Sequence, residues 1–211
     1  MTRGRFITLE GGEGAGKSTQ VALLQTALEA QGLRVLTTRE PGGSDGGEEI
    51  RNLLVNGETH RWEPLSEALL NYAARHEHLQ KVILPALDAG TWVLCDRFAD
   101  STMAYQGYGH RMNREVIRRL HRLVVGDTAP DLTLIFDMPV EQGLARAHSR
   151  GQGEDRYERM GAEFHQRLRD GFLDIAKKEP VRCAVIDATG DIGAVAMAVA
   201  AEVSQRLKVD V

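Results

Sequence analysis

Gly11-Gly12-Glu13-Gly14-Ala15-Gly16-Lys17-Ser18 is where the residue types of this sequence first suggest chemistry. The stretch matches G-x-x-x-x-G-K-S/T, a phosphate-binding loop. Glycines let successive backbone N–H groups turn inward around phosphate oxygens. A following helix N-terminus adds partial positive charge. Lys17 then reaches the β/γ-phosphates of a nucleoside triphosphate, and the Ser18 hydroxyl can bind Mg²⁺. A glycine-rich turn that merely happens to carry Lys-Ser would lack a strand before it and a helix after it, and this stretch has both. The nucleotide contacts are taken as Gly11 through Ser18 together with Thr19. Glu13 is the odd member, because a carboxylate among anion-binding groups is unfavourable unless it meets a cation or a hydroxyl. A side chain solvated on the loop's outer face is the plain alternative.

A second set of charged residues follows other apolar runs. Thr38-Arg39-Glu40-Pro41-Gly42-Gly43 and Asp96-Arg97-Phe98 each come directly after one, and Arg75 sits beside an apolar helical stripe. Arginine holds phosphate through paired N–H donors, so guanidiniums gathered near a phosphate loop suit a second phosphorylated substrate. Taken singly, each arginine is equally a surface or ion-paired group. Ser149-Arg150-Gly151-Gln152-Gly153-Glu154-Asp155-Arg156-Tyr157-Glu158-Arg159 reads either as a solvated loop or as a basic lid.

These residues need a scaffold that brings them to one place. Phe6-Ile7-Thr8-Leu9 reads as a strand, and apolar spacing from Ser18 to Gln31 predicts a helix ended by Gly32. Arg34 to Thr38 reads as a second strand and Glu48 to Val55 as a short helix. After Pro64 one long helix is expected, with Leu65, Leu69, Tyr72, His76, Leu79, Ile83 and Ala86 on a single apolar stripe. Strands follow at Trp92 to Asp96, Leu132 to Asp137 and Val181 to Asp187. Helices are expected from Asn113 to Val125, Val140 to Ser149, up to about Lys178, and from Ile192 to Leu207. Five β-α units of this kind predict an α/β fold of three layers (α/β/α), with a five-stranded parallel sheet flanked by helices. Right-handed crossovers place Glu10, Arg39, Asp96 and Asp137 on one rim.

The bulk numbers narrow the partners. The 211 residues suit one domain, 1–211, with a lid segment around 149–159. A formal charge of −4 argues against a nucleic-acid polymer or an anionic membrane as partner. No apolar stretch approaches a membrane span, and no signal pattern opens the chain. A cytoplasmic protein is expected, with Cys95 and Cys183 as buried free thiols.

Taken together, Thr38-Arg39-Glu40-Pro41-Gly42-Gly43, Asp96-Arg97-Phe98, Ser101-Thr102-Met103-Ala104-Tyr105-Gln106-Gly107 and Pro130-Asp131-Leu132-Thr133 resemble the bacterial thymidylate kinases. The order of the segments matches as well, over essentially the whole chain. The resemblance implies transfer of the γ-phosphate of ATP to dTMP, with Mg²⁺, in a homodimer. It implies that Arg97 and Arg39 hold the dTMP phosphate and that Arg75 reaches a thymine carbonyl oxygen. Thr102 and Gln106 would lie near the base's polar edge, with Pro41 and Ser101 also at the substrate. Tyr105 would pack on the deoxyribose and Glu13 would meet its 3′-hydroxyl. Asp96 and Ser18 would serve the metal. Many relatives carry a base-stacking aromatic where this chain has Asn71. Tyr72, the neighbouring aromatic, is then the candidate, although its spacing fits the buried stripe equally. Gly14 stands where some relatives supply a P-loop arginine. Catalytic positive charge is therefore expected from the lid residues Arg150 and Arg156, beside Glu13, Lys17 and Arg97. Arg146 is a further nucleotide contact, and the turn Asp187-Ala188-Thr189-Gly190 lies where adenine would be met. Two other readings stay open: a kinase for another small acceptor, and a nucleotide-binding switch with no acceptor.

Overall fold

The computed structural model describes residues 2–149 and 156–211. Five strands, β1 (Phe6–Gly11), β2 (Val35–Arg39), β3 (Trp92–Asp96), β4 (Leu132–Asp137) and β5 (Cys183–Asp187), form one parallel sheet in the order β2-β3-β1-β4-β5. The helices are α1 (Lys17–Ala30), α2 (Asp45–Val55), α3 (Pro64–His78), α4 (Leu84–Asp88), α5 (Ala99–Thr102), α6 (Arg114–Val124), α7 (Val140–His148), α8 (Ala162–Lys178) and α9 (Ile192–Leu207). They cover both faces of the sheet, as expected for near-continuous apolar strands.

The alternation of side chains along each strand decides which layer they join. Ile7 and Leu9 of β1, with Leu132, Leu134 and Phe136 of β4, pack with Leu24 and Leu28 of α1 and Val199 of α9. Phe6 points the other way, into a cluster with Tyr72, Leu79, Ile83, Val93, Cys95 and Phe98. Ile135 joins Phe164, Leu168 and Phe172 of α8. The two cysteines are free and buried.

The register aligns the strand ends. Arg39 pairs with Asp96, Leu9 with Asp96, and Gly11 with Phe136. The carboxyl ends of β1, β2 and β3 thus deliver Glu10, Arg39 and Asp96 to one rim.

Three elements depart from the sequence reading. The long helix after Pro64 is not continuous: α3 passes through a π-helical turn, Leu79–Ile83, before α4. Pro85 explains the change, since it has no N–H to return to the preceding turn and widens the ladder there. The apolar stripe also divides. Tyr72, Leu79 and Ile83 are buried, whereas Leu65 and Leu69 are about half exposed. Finally, residues read only as a motif form α5 and a π-helical segment, Met103–Gly109. Wide turns of this kind are frequent at functional sites, and this one carries Tyr105 and Gln106. Among the described residues, no helix is long and apolar enough to cross a membrane.

Candidate active site

The phosphate loop runs from the end of β1 into α1. Gly14 adopts φ 70°, and a Cβ there would lie 1.9 Å from the carbonyl oxygen of Gly143. Only glycine permits that approach of the loop to α7. Lys17 opens α1 and is buried, its Nζ donating to the carbonyl oxygens of Gly11 (3.2 Å) and Gly12 (2.8 Å). Burial and the nearby Arg97 lower its pKa to about 8, against the pull of Asp96, Glu13 and Glu10. Beside it, the Ser18 hydroxyl donates to Asp96 Oδ2 at 2.7 Å. Ser18 and Asp96 are hard oxygen donors of the kind Mg²⁺ takes when phosphates and waters complete its shell. Among the described residues there is no group of three or more His, Cys, Asp or Glu able to hold a metal alone.

Facing the loop is Arg97, in the left-handed region at φ 70°. Such a backbone state is uncommon for a residue with a side chain and clusters at functional sites. Its Nη1 donates to the Gly11 carbonyl at 2.8 Å and to Ser101 Oγ at 3.3 Å, and its Nη2 donates to Glu13 Oε1 at 3.0 Å. The guanidinium lies over the Tyr105 ring, 5.2 Å from its centroid. The Tyr105 hydroxyl donates to the same Glu13 oxygen. Burial alone would raise the Glu13 carboxyl, but Arg97, Lys17 and Tyr105 hold it down at about 2. Glu13 therefore stays ionised, which resolves its odd position in the loop: it is the anionic partner of Arg97.

Beneath these residues Glu10 is fully buried. It accepts from the backbone N–H groups of Phe98 (2.8 Å) and Ser101 (3.3 Å) and from the Ser101 hydroxyl (2.6 Å). Burial, then the charge of Asp100, raise its pKa to about 7 against these bonds and Arg97.

A cavity of about 110 Å³ opens beside Arg97 and Glu13. Glu40, Pro41, Ser101, Thr102, Tyr105 and Gln106 line it, as do Arg51, Asn71, Tyr157 and Glu158. Arg75 stands one layer behind. Its Nε donates to Glu40 Oε2 (2.7 Å), its Nη1 to Thr102 Oγ1 (3.1 Å) and its Nη2 to the Phe98 carbonyl (3.0 Å). Three of its five N–H groups are thereby committed, and two remain. Arg39, by contrast, is half exposed and pairs with Glu48 at 3.1 Å. It borders an open hollow shared with Ser18 and Asp96.

The structure corrects two placements. Tyr72 is buried behind Arg75, its hydroxyl donating to the Ile117 carbonyl and its ring 4.9 Å from the guanidinium. It belongs to the core because its place on α3 faces the sheet, and it does not line the cavity. Arg156 is also fully buried, and its donors are committed to other segments of the chain. Its donors go to the carbonyls of Leu54 (3.0 Å), Glu58 (3.1 Å) and Thr59 (3.2 Å), and it pairs with Glu67 at 2.5 Å. A guanidinium so committed pins the end of the lid segment to the α2–α3 connection. Arg150, the other lid arginine, lies outside the described residues.

Arg146 donates to the carbonyls of Ala188 (3.2 Å) and Thr189 (3.4 Å), so the residue expected to contact the nucleotide meets the turn expected at adenine. Sequence reading missed Tyr157, which lies edge-on to Tyr105 with ring centroids 5.1 Å apart. Both Tyr157 and Asn71 line the cavity. One aromatic within a charged stretch has no periodicity to mark it. The Arg-Tyr pair is visible only once Arg156 is seen to be anchored.

A parallel sheet in this strand order, a phosphate loop at its first strand and a partly buried arginine ion-paired to a carboxylate of that loop define a P-loop kinase of small phosphorylated acceptors. The family comparison names the branch. The family model described as thymidylate kinase matches residues 9–199, and this chain belongs to that family. A thymidylate kinase of Caulobacter vibrioides is 56% identical over 207 residues, covering 98% of this chain and 99% of the relative. One from a Bradyrhizobium species is 52% identical, covering 97% and 92%. The crystal structure of thymidylate kinase from Ehrlichia chaffeensis superposes with a TM-score of 0.76 at 40% identity, covering 93% of this chain and 97% of that one.

Proposed function

We infer that this chain transfers the γ-phosphate of ATP to dTMP, giving ADP and dTDP for dTTP synthesis, with Mg²⁺ as the divalent ion. The observation that carries the acceptor side is Arg97, held 3.0 Å from Glu13 of the phosphate loop. An acceptor phosphate oxygen attacks the γ-phosphorus while the bond to the β-phosphate oxygen breaks, so catalysis is mainly positioning and charge stabilisation. Gly11 through Thr19 hold the ATP phosphates, and Lys17 turns from the Gly11 and Gly12 carbonyls to the β/γ-oxygens. Arg146 and the Asp187 turn serve the nucleoside. Ser18 and Asp96 would hold Mg²⁺, which would neutralise charge on the triphosphate.

Arg97 holds the dTMP phosphate, with Arg39 reaching in from the open rim. Tyr105 packs on the deoxyribose and disfavours a 2′-hydroxyl, while Glu13 receives the 3′-hydroxyl. Ser101 and Pro41 close the sugar side. Thr102 and Gln106 face the base, and Arg75, from behind them, reaches a thymine carbonyl oxygen. The lid around 149–159 excludes water. Arg156 being structural, Arg150 is left as the lid cation.

Residues 1–211 act as one kinase domain. Leu65 and Leu69, about half exposed on α3, support a homodimer through that helix. A cytoplasmic location suits the two free, buried cysteines. ADP release from ATP·Mg²⁺, measured separately with dTMP, dUMP, UMP, dCMP, AMP and GMP, tests the reading. Strong activity with dTMP, less with dUMP and little with the others is expected. Release independent of any acceptor would reject it.

A further inference from the structure

Gln106 is buried on the π-helical segment and lines the cavity. Its Nε2 donates to Glu67 Oε1 at 2.6 Å, while its own Oε1 has no hydrogen-bond partner among the described residues. Glu67 lies on α3 and is fully buried. Its second oxygen is 2.5 Å from Arg156 Nη2, the residue that ties the lid's end to the carbonyls of Leu54, Glu58 and Thr59.

An amide can present either end to a ligand, but a carboxylate paired with a guanidinium only accepts. Gln106 must therefore turn its NH₂ toward Glu67. Its carbonyl oxygen, itself shielded from solvent, is then left as an unpartnered acceptor in a residue that lines the cavity, at a cost in free energy until a donor arrives. A pyrimidine with N–H at ring position 3 supplies that donor. A pyrimidine with a lone pair there does not, and sets acceptor against acceptor. Arg156 occupies the other oxygen, so Glu67 has no second arrangement in which Gln106 is free to turn over.

We propose that Glu67 is a specificity-positioning residue: by locking the Gln106 amide in one orientation, it makes the cavity select thymine-like and uracil-like bases over cytosine. The inference rests on the dTMP kinase reading for the nature of the acceptor. It also joins base choice to the lid, because one buried carboxylate serves both.

The test compares wild type with Glu67→Gln, using dTMP and dCMP as acceptors and measuring the KM for ATP alongside. A neutral amide at position 67 meets Gln106 in either orientation. The dTMP-over-dCMP ratio of kcat/KM is expected to narrow by about tenfold or more, mainly through a raised KM for dTMP, since a mispaired polar group in a reading site is costly. The KM for ATP should stay within about twofold, a difference too small to signal a lost contact. If Glu67→Gln fails to fold with Arg156 left unpaired, the double variant Glu67→Leu/Arg156→Met removes both charges and carries the same expectation. An unchanged ratio in a folded variant, or equal loss with both acceptors and with ATP, overturns the proposal. Wild type that does not use dTMP would instead reject the acceptor reading, and this inference with it.

Discussion

Arg97 Nη2 lies 3.0 Å from Glu13 Oε1, so a residue of the phosphate loop and a residue at the end of the neighbouring strand are ion-paired. The same guanidinium donates to the Gly11 carbonyl, which ties the end of β3 to the loop. Replacing Arg97 with Met should lower kcat/KM for dTMP by about 10²-fold or more, since a preorganised cation on phosphate is lost. Steady-state kinetics would check this, and a loss below about threefold would remove Arg97 from the reaction.

Lys17 is buried, and its ammonium donates to two loop carbonyls. Lys17→Met should cut turnover by about 10²-fold or more while the far-UV spectrum is retained. A variant that keeps wild-type kcat would show that the ammonium does not act on the transferred group.

Glu10 predicts a particular pH dependence of stability. Its folded pKa, about 7, lies above the ordinary 4.5. Between those values the native state holds a proton that the unfolded chain has released. This group's contribution is therefore fully present below about pH 4.5 and falls as pH rises through 7. Glu10→Gln, which cannot ionise, should gain on wild type across that window, by roughly 3 kcal/mol at most. Urea unfolding of both proteins at pH 5 and pH 8 measures the difference. A gap independent of pH would contradict the assignment.

The two lid arginines should separate in experiment. Arg156 is fully buried against Glu67, so Arg156→Ala should destabilise the fold by about 3–5 kcal/mol, as for one partner removed from a buried pair. Arg150→Ala should lower kcat with little change in Tm. Paired thermal unfolding and turnover measurements would distinguish them, and full turnover in Arg150→Ala would exclude it as the lid cation.

Ser18 and Asp96 share a 2.7 Å hydrogen bond where the loop enters α1. Chelation should abolish phosphoryl transfer and Mg²⁺ should restore it. Asp96→Asn should raise the Mg²⁺ concentration for half-maximal rate by about tenfold or more, as expected for an outer-shell carboxylate. An unchanged Mg²⁺ titration would place the ion elsewhere.

Most of the architecture is legible in the sequence because its causes are local. Continuous apolar strands require a covered parallel sheet, helical spacing marks α1, α6, α8 and α9, and the phosphate loop is one contiguous run whose function lies in its own backbone. Arg39, Asp96 and Arg97 could be assigned to one rim because topology alone puts strand ends there. What tertiary structure decided depends on contacts between distant segments. Tyr72 and Asn71 are neighbours in sequence, yet one is core and the other lines the cavity, since adjacent residues on a helix point in different directions. Arg156 reads as a free lid cation until the α2–α3 connection closes around it. Gln106 has two equivalent ends until Glu67, 39 residues away, accepts from one of them. Spacing along the chain encodes which face a side chain takes. It does not encode which buried donor meets which acceptor, and that pairing sets the chemistry of the pocket.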